Sequence, residues 1–276
     1  MCPRPAPLGE RLALHTWTLD TTALPDALRA ARSAGWSAVE LRRIDFARSA
    51  EAGQPTEAVL DIVRASGLPV ACVGGQFGWM FADGPERARL IAAMTESCRW
   101  ARALGASVVM SPADMGEGDL TRAAAAVREV GDIGAAHGVR IALEAPSQAK
   151  QLNTLDRLRE LIARAGHPSC GLLVDAYHLH RGGGGLRAVE DLGPGEIAYV
   201  QFSDVAASGL QPGQTLDRLP PGRGIVPFRD FFRLIADSGY LGHCSYEAPN
   251  PAAWARDPVT VAREALAATR AVLPDA

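Results

Sequence analysis

The sequence predicts an α/β protein, a single (β/α)8 TIM barrel that spans residues 1–276. Short β-branched or apolar runs alternate along the chain with longer, alanine-rich amphipathic stretches. These strand and helix candidates form eight successive units, spaced by roughly 30 to 35 residues, and the chain length is ordinary for a barrel of this kind. The alternation, the number of units and the length together predict the fold.

The strand candidates are short runs of mainly apolar residues, as expected for parallel strands buried on both faces. They cover residues 11–17, 37–43, 69–75, 106–112, 139–146, 171–177, 197–204 and 243–249. Each candidate is followed by a predicted helix or by a loop that leads to one. Eight repetitions of this unit indicate a closed sheet with helices around it.

The helix candidates are longer stretches, several of which end in a glycine typical of a helix C-cap. They cover residues 23–35, 56–67, 84–105, 120–138, 155–166, 186–193, 226–239 and 259–273. A doubly wound sheet is the alternative architecture. The glycine run at 181–186 lacks the GxGxxG spacing of a dinucleotide-binding turn, which disfavours a nucleotide site.

Composition excludes several classes of function. The formal net charge is -3 and no basic cluster is present, so we expect no nucleic-acid partner. No segment has the roughly 20 consecutive apolar residues that span a membrane, so we expect no membrane partner. The five cysteines are scattered and none forms a CxxC motif, which favours a reducing cytoplasmic location. These features predict a cytoplasmic protein that binds a small-molecule substrate.

The last four strand candidates each carry one oxygen-bearing side chain near the carboxyl end. Alternate residues of a barrel strand point into the barrel, and functional groups of TIM barrels lie at the carboxyl ends of the strands. In each of these strands, the residue two positions before the oxygen-bearing side chain therefore also points into the barrel. The four side chains belong to Glu144, Asp175, Gln201 and Glu247.

Three carboxylates that converge at a barrel mouth raise one another's pKa values unless a cation lies between them. A divalent metal ion solves this problem, and an all-oxygen set of ligands favours Mn2+ or Mg2+ over Zn2+. Any one of these residues alone could instead cap a strand or pair with an arginine. Four in matching positions predict a metal site formed by Glu144, Asp175, Gln201 and Glu247.

Several motifs resemble the xylose isomerase-like TIM barrel superfamily, the sugar phosphate isomerase/epimerase group. The resemblance is carried by LEAP, GLLVDAYHLHR, YVQFSD, LPPGRG and SYEAPNP in the second half of the chain, with LHTWTL and AVELRR near its start. It implies that the same four residues bind a divalent metal and that His178 contacts a substrate oxygen. Gln201 stands where most members have a histidine. In this respect the chain looks like the glutamine-bearing branch, which includes 3-dehydroshikimate dehydratases. The resemblance also implies a possible homo-oligomer.

The metal and two glutamates predict proton abstraction next to a carbonyl group. A cation polarises the carbonyl of a hydroxy ketone, and Glu144 and Glu247 act as the catalytic acid and base. The expected activity is isomerisation or epimerisation of a sugar-like or polyol-derived hydroxy ketone. One alternative is a metal-dependent dehydratase of the 3-dehydroshikimate or inosose type, and another is a non-catalytic sugar-binding barrel.

Further residues are candidates for contact with the substrate. We expect His178, His15, Arg218 and Trp17 to bind it, with Arg218 in a loop region where barrels often hold anions. Trp17 could stack on a sugar or ring face, as could two other aromatic residues, Phe77 and Trp79. On the second strand, Glu40 and Arg42 either line the pocket or form a buried ion pair.

Overall fold

A computed structural model describes residues 6–274, in which eight parallel strands form a closed barrel in chain order. The predicted (β/α)8 architecture is therefore confirmed. Every strand lies within its predicted run, except that β6 begins one residue earlier. The strands are β1 (Leu12–His15), β2 (Ala38–Leu41), β3 (Val70–Gly74), β4 (Val108–Pro112), β5 (Arg140–Glu144), β6 (Cys170–Asp175), β7 (Ile197–Phe202) and β8 (Cys244–Tyr246).

All eight predicted helices are present, although α8 is only four residues long. Three further helices, α2, α7 and α10, follow β2, β6 and β8 closely. None of the described helices combines the length and apolarity needed to cross a membrane. The helices are α1 (Leu24–Ala34), α2 (Arg43–Glu51), α3 (Thr56–Ser66), α4 (Gly84–Ala103), α5 (Leu120–His137), α6 (Leu155–Ala165), α7 (Ala176–Arg181), α8 (Arg187–Glu190), α9 (Phe228–Asp237), α10 (Pro251–Trp254) and α11 (Pro258–Ala271).

The core has two layers, one inside the barrel and one between the strands and the helices. Ala142, Leu173 and Tyr199 belong to the inner layer, as the alternation along their strands predicts. Their neighbours Ile141, Leu143, Leu172, Val174 and Val200 belong to the outer layer. The inward direction of the strand faces that carry Glu144, Asp175 and Gln201 is therefore confirmed.

Helix α9 shows how the outer layer holds β7 in place. Its apolar residues Phe228, Phe231, Phe232 and Ile235 recur at helical spacing and are all buried. The ring of Phe202 at the end of β7 meets Phe232 edge to face, with 5.2 Å between the ring centroids. Such pairs contribute roughly 0.5 to 1.5 kcal/mol beyond the burial of their surface. This packing fixes the end of the strand that carries Gln201.

The order of the strands places the predicted metal ligands on neighbouring strands at the carboxyl end of the barrel. Asp175 on β6 lies beside Gln201 on β7, and Gln201 lies beside Ser245 on β8. Glu144 ends β5, and Glu247 comes directly after β8. The four residues therefore come from four neighbouring strands, β5 to β8, at the carboxyl end of the barrel.

Candidate metal centre and active site

The four predicted donors are all buried at the carboxyl end of the barrel. The exposed fractions are 6% for Glu144, 3% for Asp175, 0% for Gln201 and 5% for Glu247. Ionised carboxylates are rarely buried in this way unless a partner compensates their charge. The contacts of these side chains therefore show what compensates them and what the site can still bind.

Glu144, Asp175 and His178 form a compact group, in which one potential ligand atom from each lies within 4.8 Å of the others. The Asp175 side chain caps α7 by accepting a hydrogen bond from the Tyr177 backbone N–H at 2.9 Å. This turn brings His178 back over the strand ends, with Nε2 3.7 Å from Glu144 Oε1 and 3.8 Å from Asp175 Oδ2. These three residues could hold a metal ion, so His178 is a candidate ligand as well as the predicted substrate contact.

The His178 ring is held from both sides. The backbone nitrogen and hydroxyl oxygen of Ser147 lie 3.2 Å and 3.1 Å from Nδ1. Arg218 Nη2 lies 3.2 Å from Nε2. Burial, the largest influence, lowers the pKa of His178 to about 4, so the imidazole is neutral at pH 7. A neutral, fixed imidazole can serve as a ligand or as a hydrogen-bonding partner for substrate.

Arg218 places its guanidinium group among the carboxylates. Nη1 donates to Asp175 Oδ2 at 2.9 Å and to Glu247 Oε2 at 2.8 Å. The guanidinium carbon lies 4.2 Å from the centroid of the Tyr177 ring, a cation–π contact. Arg218 was predicted to bind substrate, and it does line the mouth of the barrel. Its contacts add a second function, compensation of the buried carboxylate charge.

The loop between β7 and α9 carries Arg218 and is fastened by Asp204. The fully buried Asp204 carboxylate accepts hydrogen bonds from the backbone N–H groups of Val205, Gly224 and Val226. A Cβ atom at Gly224 would lie 2.0 Å from the Val205 carbonyl oxygen, so only glycine fits there. These contacts explain the SD and PGRG motifs as elements that position Arg218.

We expect Asp204→Ala to lower the free energy of unfolding by roughly 3 kcal/mol, because three backbone donors lose a charged acceptor. Urea unfolding followed by circular dichroism measures this change. The control is Asp230→Ala, which removes an exposed pair with Arg233 and should cost less than about 1 kcal/mol. Equal unfolding midpoints for Asp204→Ala and wild type would contradict the proposed fastening of the loop.

His15 restrains Glu247 from the other side. Its Nδ1 accepts the Trp17 backbone N–H at 3.0 Å, so the proton of the neutral ring resides on Nε2. Burial lowers the pKa of His15 well below its ordinary value, which keeps the ring neutral. Nε2 lies 3.2 Å from Glu247 Oε1. His15 therefore lies against one oxygen of Glu247, while Arg218 donates to the other.

The charges of the site favour a cation. Burial and then the neighbouring Glu247 raise the pKa of Glu144 well above its ordinary value. Burial also raises the pKa of Glu247, and burial followed by Glu247 raises that of Glu40 to about 8. The Arg218 guanidinium donates to Glu247 and Asp175, and within the described residues it makes no hydrogen bond to Glu144 or Glu40. The two nearby histidines are neutral. A further positive charge would therefore stabilise the ionised carboxylates.

Gln201 offers an oxygen that no described residue engages. Its Nε2 donates to Glu40 Oε1 at 2.9 Å across the barrel. Its Oε1 is buried and accepts no hydrogen bond from the described residues. A buried acceptor without a partner costs roughly 1 to 3 kcal/mol. Together with the group formed by Glu144, Asp175 and His178, this free oxygen fits a site for a hard divalent cation.

The mouth of the barrel opens into a cavity of about 330 Å3 above these residues. Its polar lining includes Glu144, His178, Arg218 and Glu247. Trp17 and Phe77 line the cavity, whereas Trp79 is fully buried in the outer core layer. The apolar lining residues are Trp17, Phe77, Met110, Pro112, Met115 and Pro146. Such a cavity can hold a small molecule against the carboxylates.

Comparison with known proteins identifies the family. The family model described as xylose isomerase-like TIM barrel matches residues 28–272. The chain belongs to the xylose isomerase-like TIM barrel family. The crystal structure of the IolI protein with a bound zinc atom has the same fold, with a TM-score of 0.81, 18% identity and coverage of 95% of this chain and 96% of that one.

Two curated relatives share part of this xylose isomerase-like chain. A 3-dehydroshikimate dehydratase of Pseudomonas aeruginosa is 32% identical over 127 residues, which are 45% of this chain and 20% of the dehydratase. An inosose isomerase of Halalkalibacterium halodurans is 25% identical over 124 residues, which are 45% of this chain and 44% of the isomerase. The match thus spans about a fifth of the first relative and less than half of the second.

Proposed function

We propose that this xylose isomerase-like barrel is a divalent-metal-dependent isomerase or epimerase of a sugar-like or polyol-derived hydroxy ketone. The reaction would begin with abstraction of the proton next to the carbonyl group. The observation that carries the proposal is the convergence of three buried carboxylates and one unengaged amide oxygen beneath an open cavity. The curated inosose isomerase supports an activity on a cyclic polyol ketone.

Glu144, Asp175, Gln201 and Glu247 would hold the cation, with Mn2+ or Mg2+ preferred by the oxygen donors. When bound, the cation would polarise the substrate carbonyl and stabilise the negative charge of an enolate. His178 Nε2 lies beside the same carboxylates and would contact a substrate oxygen. The IolI protein, which has the same fold, was crystallised with a zinc atom, and this supports a metal site in this chain.

Glu247 is the proposed general base, and Glu144 is the proposed partner that returns a proton. A carboxylate with a raised pKa holds a proton more firmly and is a stronger base, which suits removal of a weakly acidic proton. Arg218 donates to one oxygen of Glu247 and His15 Nε2 lies 3.2 Å from the other, so both neighbours restrict its direction. Return of the proton to the other face of the enolate would invert the configuration at the carbon atom that lost it, giving an epimer. Return of the proton to the neighbouring carbon atom would give an isomer.

A metal-dependent dehydratase is the second candidate, favoured by the 32% identity to the 3-dehydroshikimate dehydratase. The first step is the same proton abstraction. If a hydroxyl group lies on the carbon next to the enolate, the electron pair would form the new double bond as the C–O bond breaks, and Glu144 would donate the proton with which the hydroxyl leaves as water, giving an enone. The substrate therefore decides between the two outcomes, because both use the same base.

Incubation in D2O with Mn2+ and a panel of ketoses, inososes and 3-dehydroshikimate tests the proposal. Nuclear magnetic resonance reports loss of the proton next to the carbonyl, and absorbance reports an enone or aromatic product. Deuterium in recovered substrate or isomer supports the isomerase, and an unsaturated product supports the dehydratase. A protein that binds one of these ketones with Mn2+ and exchanges no proton would instead be a non-catalytic sugar-binding barrel.

A further inference from the structure

Glu40 reaches across the barrel interior to the amide of Gln201. Glu40 lies on β2 and Gln201 on β7, and both side chains are fully buried. Their contact is the hydrogen bond from Gln201 Nε2 to Glu40 Oε1, 2.9 Å long. The two residues are separated by 161 positions in the sequence. This cross-barrel bond is the one hydrogen bond that the Gln201 side chain makes within the described residues.

The bond decides which end of the amide faces the site. A glutamine side chain carries a donor nitrogen and an acceptor oxygen on the same planar group, and a half-turn exchanges them. Glu40 Oε1 accepts when the carboxyl is ionised or carries its proton on Oε2, and only the nitrogen of the amide can donate to it. With Nε2 directed at Glu40, the oxygen points away from it. Gln201 Oε1 then has no partner among the described residues.

We propose that Glu40 is a positioning residue that fixes the Gln201 amide so that its oxygen serves the cation. This inference rests on the proposed function, since it concerns a ligand of the proposed metal. Without Glu40, the amide could turn and direct its nitrogen, which is a poor metal ligand, toward the carboxylates. Residues that orient a metal ligand commonly change metal affinity by 10- to 100-fold when replaced.

His15 limits the freedom of Glu40 itself. Its Nε2 lies 3.7 Å from Glu40 Oε1, and the two residues are register partners on β1 and β2. The same Nε2 lies 3.2 Å from Glu247 Oε1, so one imidazole lies between the residue that orients Gln201 and the proposed base. Glu40 is therefore part of the framework of the site, although the cavity described above does not include it in its lining.

The test measures the Kd of Mn2+ by the paramagnetic resonance of the free ion, on the full chain and without substrate. We expect Glu40→Leu to weaken Mn2+ binding by about tenfold or more. Glu40→Gln, which keeps the shape and an acceptor oxygen, should weaken it less. Circular dichroism and thermal unfolding establish that both variants are folded before the comparison.

A reciprocal exchange separates orientation from general packing. In the double variant Glu40→Gln with Gln201→Glu, the amide on β2 donates to the carboxylate on β7, and an oxygen still faces the site. We expect this double variant to bind Mn2+ more tightly than Glu40→Leu. The control is Asp114→Asn, which alters a buried carboxylate that accepts from the Gly78 and Phe81 backbone and contacts none of the proposed ligands. Its Kd should equal that of wild type.

Each outcome has a distinct meaning. Tight binding by wild type and the double variant, with weak binding by Glu40→Leu, supports the inference. Equal Kd values for wild type and Glu40→Leu would overturn the inference and leave the proposed function intact. If the double variant binds no better than Glu40→Leu, Glu40 does not act through the amide orientation, and the inference also fails. Failure of wild type to bind Mn2+ would instead overturn the proposed metal site.

Discussion

Replacing Glu247 with glutamine is expected to lower kcat by at least about a thousandfold, because the amide cannot accept the substrate proton. The change keeps the side-chain shape, and the amide oxygen can still accept from Arg218, which donates to Glu247 in the native protein. Deuterium exchange into the substrate should fall in parallel with kcat. The measurements are steady-state turnover and the exchange rate, both at saturating Mn2+.

The matched control is Glu264→Gln, which changes an exposed glutamate paired with Arg256 at the surface. This control should retain wild-type kcat and wild-type thermal stability. If Glu247→Gln binds Mn2+ and still exchanges the substrate proton at the wild-type rate, Glu247 is not the base. A fall in kcat caused only by lost metal would be recognised from the Mn2+ Kd of the same variant.

Mn2+ affinity is expected to rise steeply with pH. The cation binds ionised Glu144, whose pKa is raised well above its ordinary value by burial and by Glu247. Below that pKa the glutamate must release a proton before the cation binds, so each pH unit should tighten Kd by up to about tenfold. His178, with a pKa of about 4, is already neutral above pH 5 and adds no proton-linked step there.

Titration of the apoprotein with Mn2+ between pH 5 and pH 8 measures this dependence. Glu144→Gln provides the comparison, since it should bind more weakly and show a flatter dependence on pH. A Kd that is independent of pH, or that weakens as pH rises, would contradict the view that Glu144 is a ligand with a raised pKa. Chelation of the metal should abolish turnover in the wild-type protein, and added Mn2+ should restore it.

The fold was predictable because each local pattern agreed with the global architecture. The buried runs that became β5 to β8 are short and apolar, and their alternation correctly indicated the inward faces. The sequence did not indicate α7, because AYHLHR reads as the end of a strand. The helix begins there because the Asp175 side chain caps it, a contact recognised only with the backbone in place.

The site was predictable only in part. The four strand-end donors have a parity that can be checked in the sequence, and the structure brings them to the carboxyl end of the barrel. The contacts of Arg218 with Asp175 and Glu247 were not predictable, since a long loop fastened by Asp204 determines where the guanidinium lies. The contact between Glu40 and Gln201 was only weakly indicated by the sequence. The one indication was the alternation along the second strand, which places Glu40 on the same inward face as Ala38.

Anomalous diffraction from a crystal of this protein soaked in Mn2+ would locate the bound cation. We expect one strong anomalous peak at the carboxyl end of the barrel, coordinated by Glu144, Asp175, Gln201 and Glu247. Arg218 should then have moved away from at least one of the two carboxylates that it contacts. A peak elsewhere, no peak at saturating Mn2+, or a peak coordinated without Gln201 and Glu247 would contradict the proposed metal site.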